Sequence, residues 1–196
     1  MSAKFSNTTA DYLEWHQAMN LVRNLYSDEN YKMSLLIAFG CFWGLRISDL
    51  LHLKWEDVLD KDEFVITEGK TQKKREIKIN RQLQKHIAEC YEKIKPGKTG
   101  DHIFTSQKGG VYSIQRINVI LKDIKKRYRL NVQNFSTHSM RKTFGRAIFG
   151  RSDASNAELA LVKLSQLFNH SNTSITRRYL GISRQEMLDT YDVLSF

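Results

Sequence analysis

Residues 31–43, YKMSLLIAFGCFW, carry no polar side chain from Leu35 to Trp43. A helix that is apolar around its whole circumference is stable only when neighbours cover every face, so the rest of the fold has to be built around this segment. Gly44 follows immediately and is placed to end the helix in the left-handed conformation. The longest apolar run, LLIAFGCFWG, is about half the roughly 20 residues that a membrane span requires. The first residues, MSAKFSNTTADYLEW, lack the basic-then-apolar layout of a signal peptide. A soluble cytoplasmic protein with no membrane partner is expected. At 196 residues and 41% hydrophobic content, a single domain is long enough to enclose such a helix.

The flanking sequence supplies the cover. A first helix runs to about Tyr26, capped by Thr9 or Asn7, with Leu13, Ala18, Leu21, Val22 and Leu25 on its apolar side. Ser27 and Asp28 open the apolar helix, and Ser48 caps a short helix over SDLLHLKW. EFVIT and KREIKI, with a turn at 68–73, read as a basic β-hairpin. Further helices are expected at about 81–94 and 113–128, separated by the loop KPGKTGDH and a turn at 108–110. Ser136 or Thr137 caps HSMRKTFGRAIFG, Ser155 or Asn156 opens ELALVKLSQLF, and Thr173 starts ITRRYL. RQEMLDTYDVL closes the chain as an amphipathic segment. The expected class is α+β, mainly α-helical, with one small antiparallel β-hairpin sheet.

The net charge is +10 and the isoelectric point about 9.6. Between residues 115 and 151 there are ten basic side chains against one acid, Asp123, and a second basic run covers 69–81. Two such runs in otherwise mixed sequence favour nucleic acid as the partner over a merely solvated face. Cys41 and Cys90 have neither metal-ligand spacing nor disulfide density and read as reduced packing residues.

Four places hold side chains suited to phosphate chemistry. Arg46 sits between the apolar helix and the next one, with Asp49 three residues on and able to orient it; a buried Arg46–Asp49 salt bridge explains the pair equally well. In THSMRKTFG, His138 and Arg141 are three apart and project from one helical face. An imidazole that exchanges a proton beside a bidentate guanidinium suits a phosphate, although a capping histidine and a surface arginine have the same spacing. Lys70 lies in the hairpin turn with Lys73 and Lys74 close by. His170 and Tyr179 are nine residues apart, on opposite sides of any continuous helix, so a shared site needs a turn at Ser171–Thr173. Asn172 and Thr173 are suited to make it. Tyr179, beside Arg177, Arg178 and Gly181, is either a packed aromatic or a nucleophile in a positive field.

Taken in order, GLRISDLLHLKWEDV, GKTQKKREIKI, THSMRKTFG and LFNHSNTSITRRYL resemble the catalytic domain of the tyrosine recombinases, the phage integrase family. The resemblance implies that Arg46 is the first catalytic arginine, with Asp49 as its acidic companion, and that Lys70 is the hairpin lysine. It makes His138 and Arg141 the HxxR pair, His170 the histidine of the last segment and Tyr179 the nucleophile. Lys73, Lys74 and Arg75 beside Lys70, Lys142 beside Arg141, and Arg177 and Arg178 beside Tyr179 become the expected DNA contacts. Two departures stand out: Asn169 where the family commonly has glycine, and Lys142 where it often has histidine.

The implied activity is site-specific cleavage and rejoining of double-stranded DNA through a 3′-phosphotyrosyl bond, with no metal, ATP or other cofactor. It also implies association with the nucleoid and a homo-oligomer on DNA, a tetrameric synapse. Residues 1–182 form the expected catalytic domain. Residues 183–196 form a tail helix whose Met187, Leu188, Tyr191, Val193, Leu194 and Phe196 dock either on a neighbouring protomer or on their own domain. A type IB topoisomerase and a DNA-binding regulator without turnover are the alternatives. The length leaves no room for the helical DNA-binding domain that often precedes this one, so the chain is expected to be either a catalytic fragment or one of the short recombinases.

Overall fold

A computed structural model of the chain describes residues 10–189 and 191. The chain forms two compact units, divided between Thr143 and Phe144.

In the first unit, α1 (Trp15–Ser27) packs on α2 (Tyr31–Trp43), which also packs on α5 (Arg81–Ile94). As its composition demands, α2 is the core: Leu35, Leu36, Ile37 and Phe39 are fully buried, and Phe39 stacks on Trp43 with ring centroids 4.2 Å apart. Gly44 ends it at φ 57°, as expected. The starts of the first two helices differ from the sequence reading. Asn7 and Thr9 lie outside the described residues, and α1 begins only at Trp15, where the Gln17 side chain accepts the Glu14 N–H at 3.1 Å. Leu13 is buried ahead of the helix because its N–H donates to Thr143 Oγ1 at 2.9 Å, and the Asp11 N–H donates to Asn134 O at 3.0 Å. Helix α1 continues through Ser27, so Asn30 occupies the position before α2.

SDLLHLKW is two short helices, α3 (Ile47–Leu51) and α4 (Trp55–Val58). The break comes where Leu53 O accepts the Ile103 N–H at 3.0 Å, drawing the chain out of the helical path. Arg46, not Ser48, holds the residue position preceding α3. The hairpin pairs β1 (Glu63–Thr67) with β2 (Lys74–Lys78), in the register Val65 to Glu76. The Asn80 side chain caps α5 through the Leu83 N–H, and Ser113 caps α6 (Ile114–Arg127) through the Arg116 N–H. Helix α7 (Thr137–Phe149) gives its residues through Thr143 to the first unit and the rest to the second.

The second unit has its own core of Phe144, Leu161, Leu164, Phe168, Leu180 and Ile182. A 3₁₀ turn (Ala154–Asn156) leads into α8 (Ala157–Phe168), which packs on α9 (Thr173–Leu180); α10 (Ile182–Asp189) packs on α9. Of the tail's apolar strip, Met187, Leu188 and Tyr191 are exposed, whereas Val193, Leu194 and Phe196 lie outside the described residues. Among the described residues no helix is long and apolar enough to cross a membrane.

Candidate active site

The end of α2 generates much of the site in the first unit. A helix leaves its last carbonyls without intrahelical partners, and cations are favoured there. Arg75 Nη2 donates to Trp43 O at 2.7 Å, and Arg141 Nη1 donates to Gly44 O. Arg141 is only 6% exposed, so this carbonyl fixes a buried guanidinium in place. Arg46, two residues beyond Gly44, is half-buried and pairs with Glu68, Nη1 to Oε2 at 2.6 Å.

Glu68 is therefore the acidic partner of Arg46 that sequence reasoning missed, and Asp49 has another place. Asp49 lies in the first turn of α3, where its Oδ1 accepts the Gly69 N–H at 3.1 Å, fixing the start of the turn that carries Lys70. The Glu68 carboxylate is 1% exposed and also accepts the Thr71 hydroxyl at 3.0 Å. Burial pushes its pKa up, but the hydrogen bonds from Arg46 and Thr71 and the charges of Arg46 and Arg75 outweigh that and hold it below the ordinary carboxylate range. The only hint in the sequence is an acid immediately before GK within a basic run.

The basic residues around the turn separate by side. Lys70, Lys73 and Lys74 are exposed. Arg75, expected as a DNA contact, turns inward, because strand alternation puts it on the same face as buried Ile77, and it is 3.7 Å from Glu68. Lys142 is half-buried and donates to Ala10 O at 2.8 Å, fastening the N-terminal segment to α7.

His138 stands exposed in the first turn of α7, one turn from Arg141. Partial withdrawal of its ring from water, with the nearby Arg141 charge, holds its pKa below the ordinary imidazole value, so the ring is neutral at pH 7. A neutral imidazole beside a fixed guanidinium is equipped to accept a proton next to bound anionic oxygens.

In the second unit the expected turn at 171–173 is present. The Asn172 side chain accepts the Ile175 N–H at 3.0 Å and opens α9. This brings the His170 and Tyr179 rings edge to face at 5.4 Å, both against Phe168. His170 Nδ1 is 2.9 Å from Thr176 Oγ1, Thr176 Oγ1 is 2.8 Å from Ser165 Oγ, and the Ser165 hydroxyl donates to Leu161 O at 2.8 Å. With the Ser165 proton committed to a carbonyl, Thr176 donates to Ser165 and accepts from His170 Nδ1–H. The Nδ1–H tautomer is thereby fixed. Thr176 was also missed, although its spacing of three from Tyr179 puts both on one face of α9. Arg177 is engaged with Glu158 at 2.7 Å, while Arg178 is exposed.

Asn169 closes α8 at φ 53°, the left-handed geometry that a glycine there would supply. Asparagine is among the few other residues that tolerate it, so the departure in sequence preserves the backbone. Asn169→Gly is expected to melt within a degree or two of the parent, whereas Asn169→Val should cost about 1 to 2 kcal/mol. Thermal unfolding of the two variants checks this; equal melting temperatures would show that the conformation carries no strain.

Residues 11–186 match the phage integrase family. A Bacillus subtilis (strain 168) protein described as "Probable integrase/recombinase YoeC" is 33% identical over 174 residues, covering 88% of this chain and 90% of that protein. A "Tyrosine recombinase" of Pseudothermotoga lettingae is 30% identical and matches 86% of this chain but 56% of its own length. Among solved structures, XerH site-specific recombinase bound to a palindromic difH substrate has a TM-score of 0.69 at 18% identity, over 95% of this chain and 54% of that one. The mainly helical fold with a two-stranded sheet is thus that of a tyrosine-type site-specific recombinase catalytic domain. The chain belongs to the phage integrase family. It spans almost all of the Bacillus relative and little more than half of the other two.

Proposed function

We propose that the chain cleaves and rejoins double-stranded DNA at specific sites, with Tyr179 as nucleophile and a 3′-phosphotyrosyl intermediate. The observation that carries this reading is the anchoring of Arg141 on the Gly44 carbonyl at the end of α2, two residues before Arg46 in the chain, with a neutral His138 one turn from Arg141. Attack on a phosphodiester passes through a five-coordinate phosphorus with added charge on its nonbridging oxygens. Fixed donors to those oxygens are the main catalytic requirement, and Arg46, Arg141 and His170 are the groups to supply them.

Free tyrosine ionises near pH 10, so Tyr179 needs a base, and His138 is neutral at the pH where one is wanted. Lys70, exposed at the hairpin turn, protonates the departing 5′ oxygen. The phosphotyrosyl bond conserves the energy of the phosphodiester, so a 5′-hydroxyl of another strand reverses the step without ATP, and the arginines provide the charge that a metal supplies elsewhere. Lys73, Lys74 and Arg178 are surface cations suited to backbone phosphates. Strand exchange between duplexes implies assembly on DNA, for which a tetramer is the natural unit. Relatives and a structural neighbour described as recombinases, one of them bound to its DNA substrate, support the reading.

The test is covalent trapping on a pool of nicked duplexes of random sequence without metal or ATP, followed by peptide mapping, with Tyr179→Phe in parallel. A DNA adduct on Tyr179 that the variant lacks is expected, and sequencing of the trapped DNA gives the preferred site. An adduct on a different tyrosine, or none, overturns the assignment.

A further inference from the structure

We propose that Glu68, a residue with no assigned part in the reaction, is the positioning residue that couples Arg46 to the turn carrying Lys70, so that the phosphate clamp and the leaving-group acid share one buried support. This rests on the proposed DNA cleavage. The carboxylate reaches both sides at once. Its Oε2 takes Arg46 Nη1 at 2.6 Å and the Thr71 hydroxyl at 3.0 Å. Its own backbone closes the turn, its N–H donating to Lys73 O at 3.0 Å and its carbonyl accepting the Gln72 N–H at 2.8 Å. Asp49 holds the intervening Gly69 N–H, so the residue before Lys70 is tied to α3 and the residue after it to Glu68.

Arg75, 3.7 Å from Glu68 and bonded to Trp43 O, extends the same network to the end of α2, where Arg141 is anchored on the next carbonyl. Lys70 is an exposed, flexible cation whose own side chain does little to fix it. The position of its turn must therefore come from the residues on either side. A carboxylate 1% exposed and ionised between two guanidiniums is costly to bury unless all its bonds are made, so disturbing one arm disturbs the other.

Glu68→Gln keeps the shape and removes the charge. Single-turnover cleavage is read on an ordinary trapping duplex and on one with a 5′-bridging phosphorothiolate, whose leaving group needs no proton. Amide exchange at residues 69–73 is read in the protein alone. The expected result is faster exchange in the turn, DNA affinity within about twofold, and cleavage slowed about 10- to 100-fold on the ordinary duplex. The loss should be several-fold smaller on the phosphorothiolate, which bypasses the Lys70 share. It should also shrink in an Arg46→Ala background, where the Arg46 share is already gone.

Thr71→Val, which deletes only one donor to Oε2, is the second variant and should show the same substrate dependence in smaller degree. Glu68→Gln cleaving both duplexes at the wild-type rate, or losing the same factor on both and in both backgrounds, overturns the coupling. A wild-type protein that forms no Tyr179 adduct, with turn exchange still raised by Glu68→Gln, overturns the proposed function instead.

Discussion

Arg141→Lys is expected to slow strand cleavage by about 10² to 10³ while leaving DNA binding within a few-fold. The size follows from what the guanidinium does at once. It is almost wholly buried and bonds Gly44 O through one nitrogen, and its rigid planar fork fixes the direction of every other N–H group it carries. A lysine ammonium has three donors, but they sit on one compact centre at the end of a flexible stem and cannot reproduce the planar, bidentate fork, so conserving the charge is not expected to conserve the rate. Arg141→Ala should lose at least as much.

The two variants separate by pH. With His138 as the proposed base, its neutral form is the active one, so cleavage is expected above its pKa and should be lost as pH falls through it. Withdrawal from water and the Arg141 charge both depress that pKa, placing the acid limb below the ordinary imidazole value of about 6.5. Alanine at 141 removes the second cause and should move the limb upward; lysine retains a positive charge and should move it little. Single-turnover rates from pH 5 to 8 check both points. A lysine variant within about threefold of wild type would remove Arg141 from the clamp.

Which features were legible in the sequence follows from how local their causes are. The uniformly apolar stretch 35–43 had to lie in the central helix, and Gly44 had to end it, because periodicity and capping act within a few residues. The turn between His170 and Tyr179 was readable for the same reason, since Asn172 caps α9 from the adjacent position. The partner of Arg46 was not, because Asp49 is near in sequence whereas Glu68 comes 22 residues later, by way of the hairpin.

Arg75 was misjudged by composition: in KREIKI it counts as one more basic residue, and only the inward face shared with Ile77 shows that it is internal. Leu13 was assigned to a helix whose start depends on bonds to Asn134 and Thr143, more than a hundred residues away. The backbone conformation of Asn169 was likewise hidden, since the sequence showed a departure from glycine where the structure shows the same left-handed turn.

Gly40→Ala should lower both stability and cleavage, although it adds only a methyl group to a helix. In an open helix the change would gain about 1 kcal/mol from propensity. Here a Cβ on Gly40 would lie 2.6 Å from Met140 Cβ and 2.8 Å from Met140 Sδ, with Met140 itself buried. The sulfur can rotate away, but the Cβ is part of the α7 backbone geometry, so relief requires α7 to move away from α2. Such overpacking costs about 1 to 3 kcal/mol, enough to cancel the propensity gain and reverse its sign.

The expected net loss of up to about 2 kcal/mol corresponds to a Tm lower by up to about 8 °C in a chain of this size. The functional effect should exceed what that loss explains below the transition. Met140 directly precedes Arg141, and the Gly40 carbonyl accepts the Gly44 N–H, one turn before the Gly44 carbonyl that anchors the guanidinium. A shift of even part of an ångström between these helices separates Arg141 from its anchor, and misplacements of about 1 Å cost up to about 10² in rate. Met140→Ala should not rescue the double variant, because it retains the offending Cβ, whereas Met140→Gly should recover part of the cleavage. Thermal melts with single-turnover rates on the single and double variants decide it: a Gly40→Ala protein that melts higher than its parent would show that the close approach of α2 and α7 places no demand on Gly40.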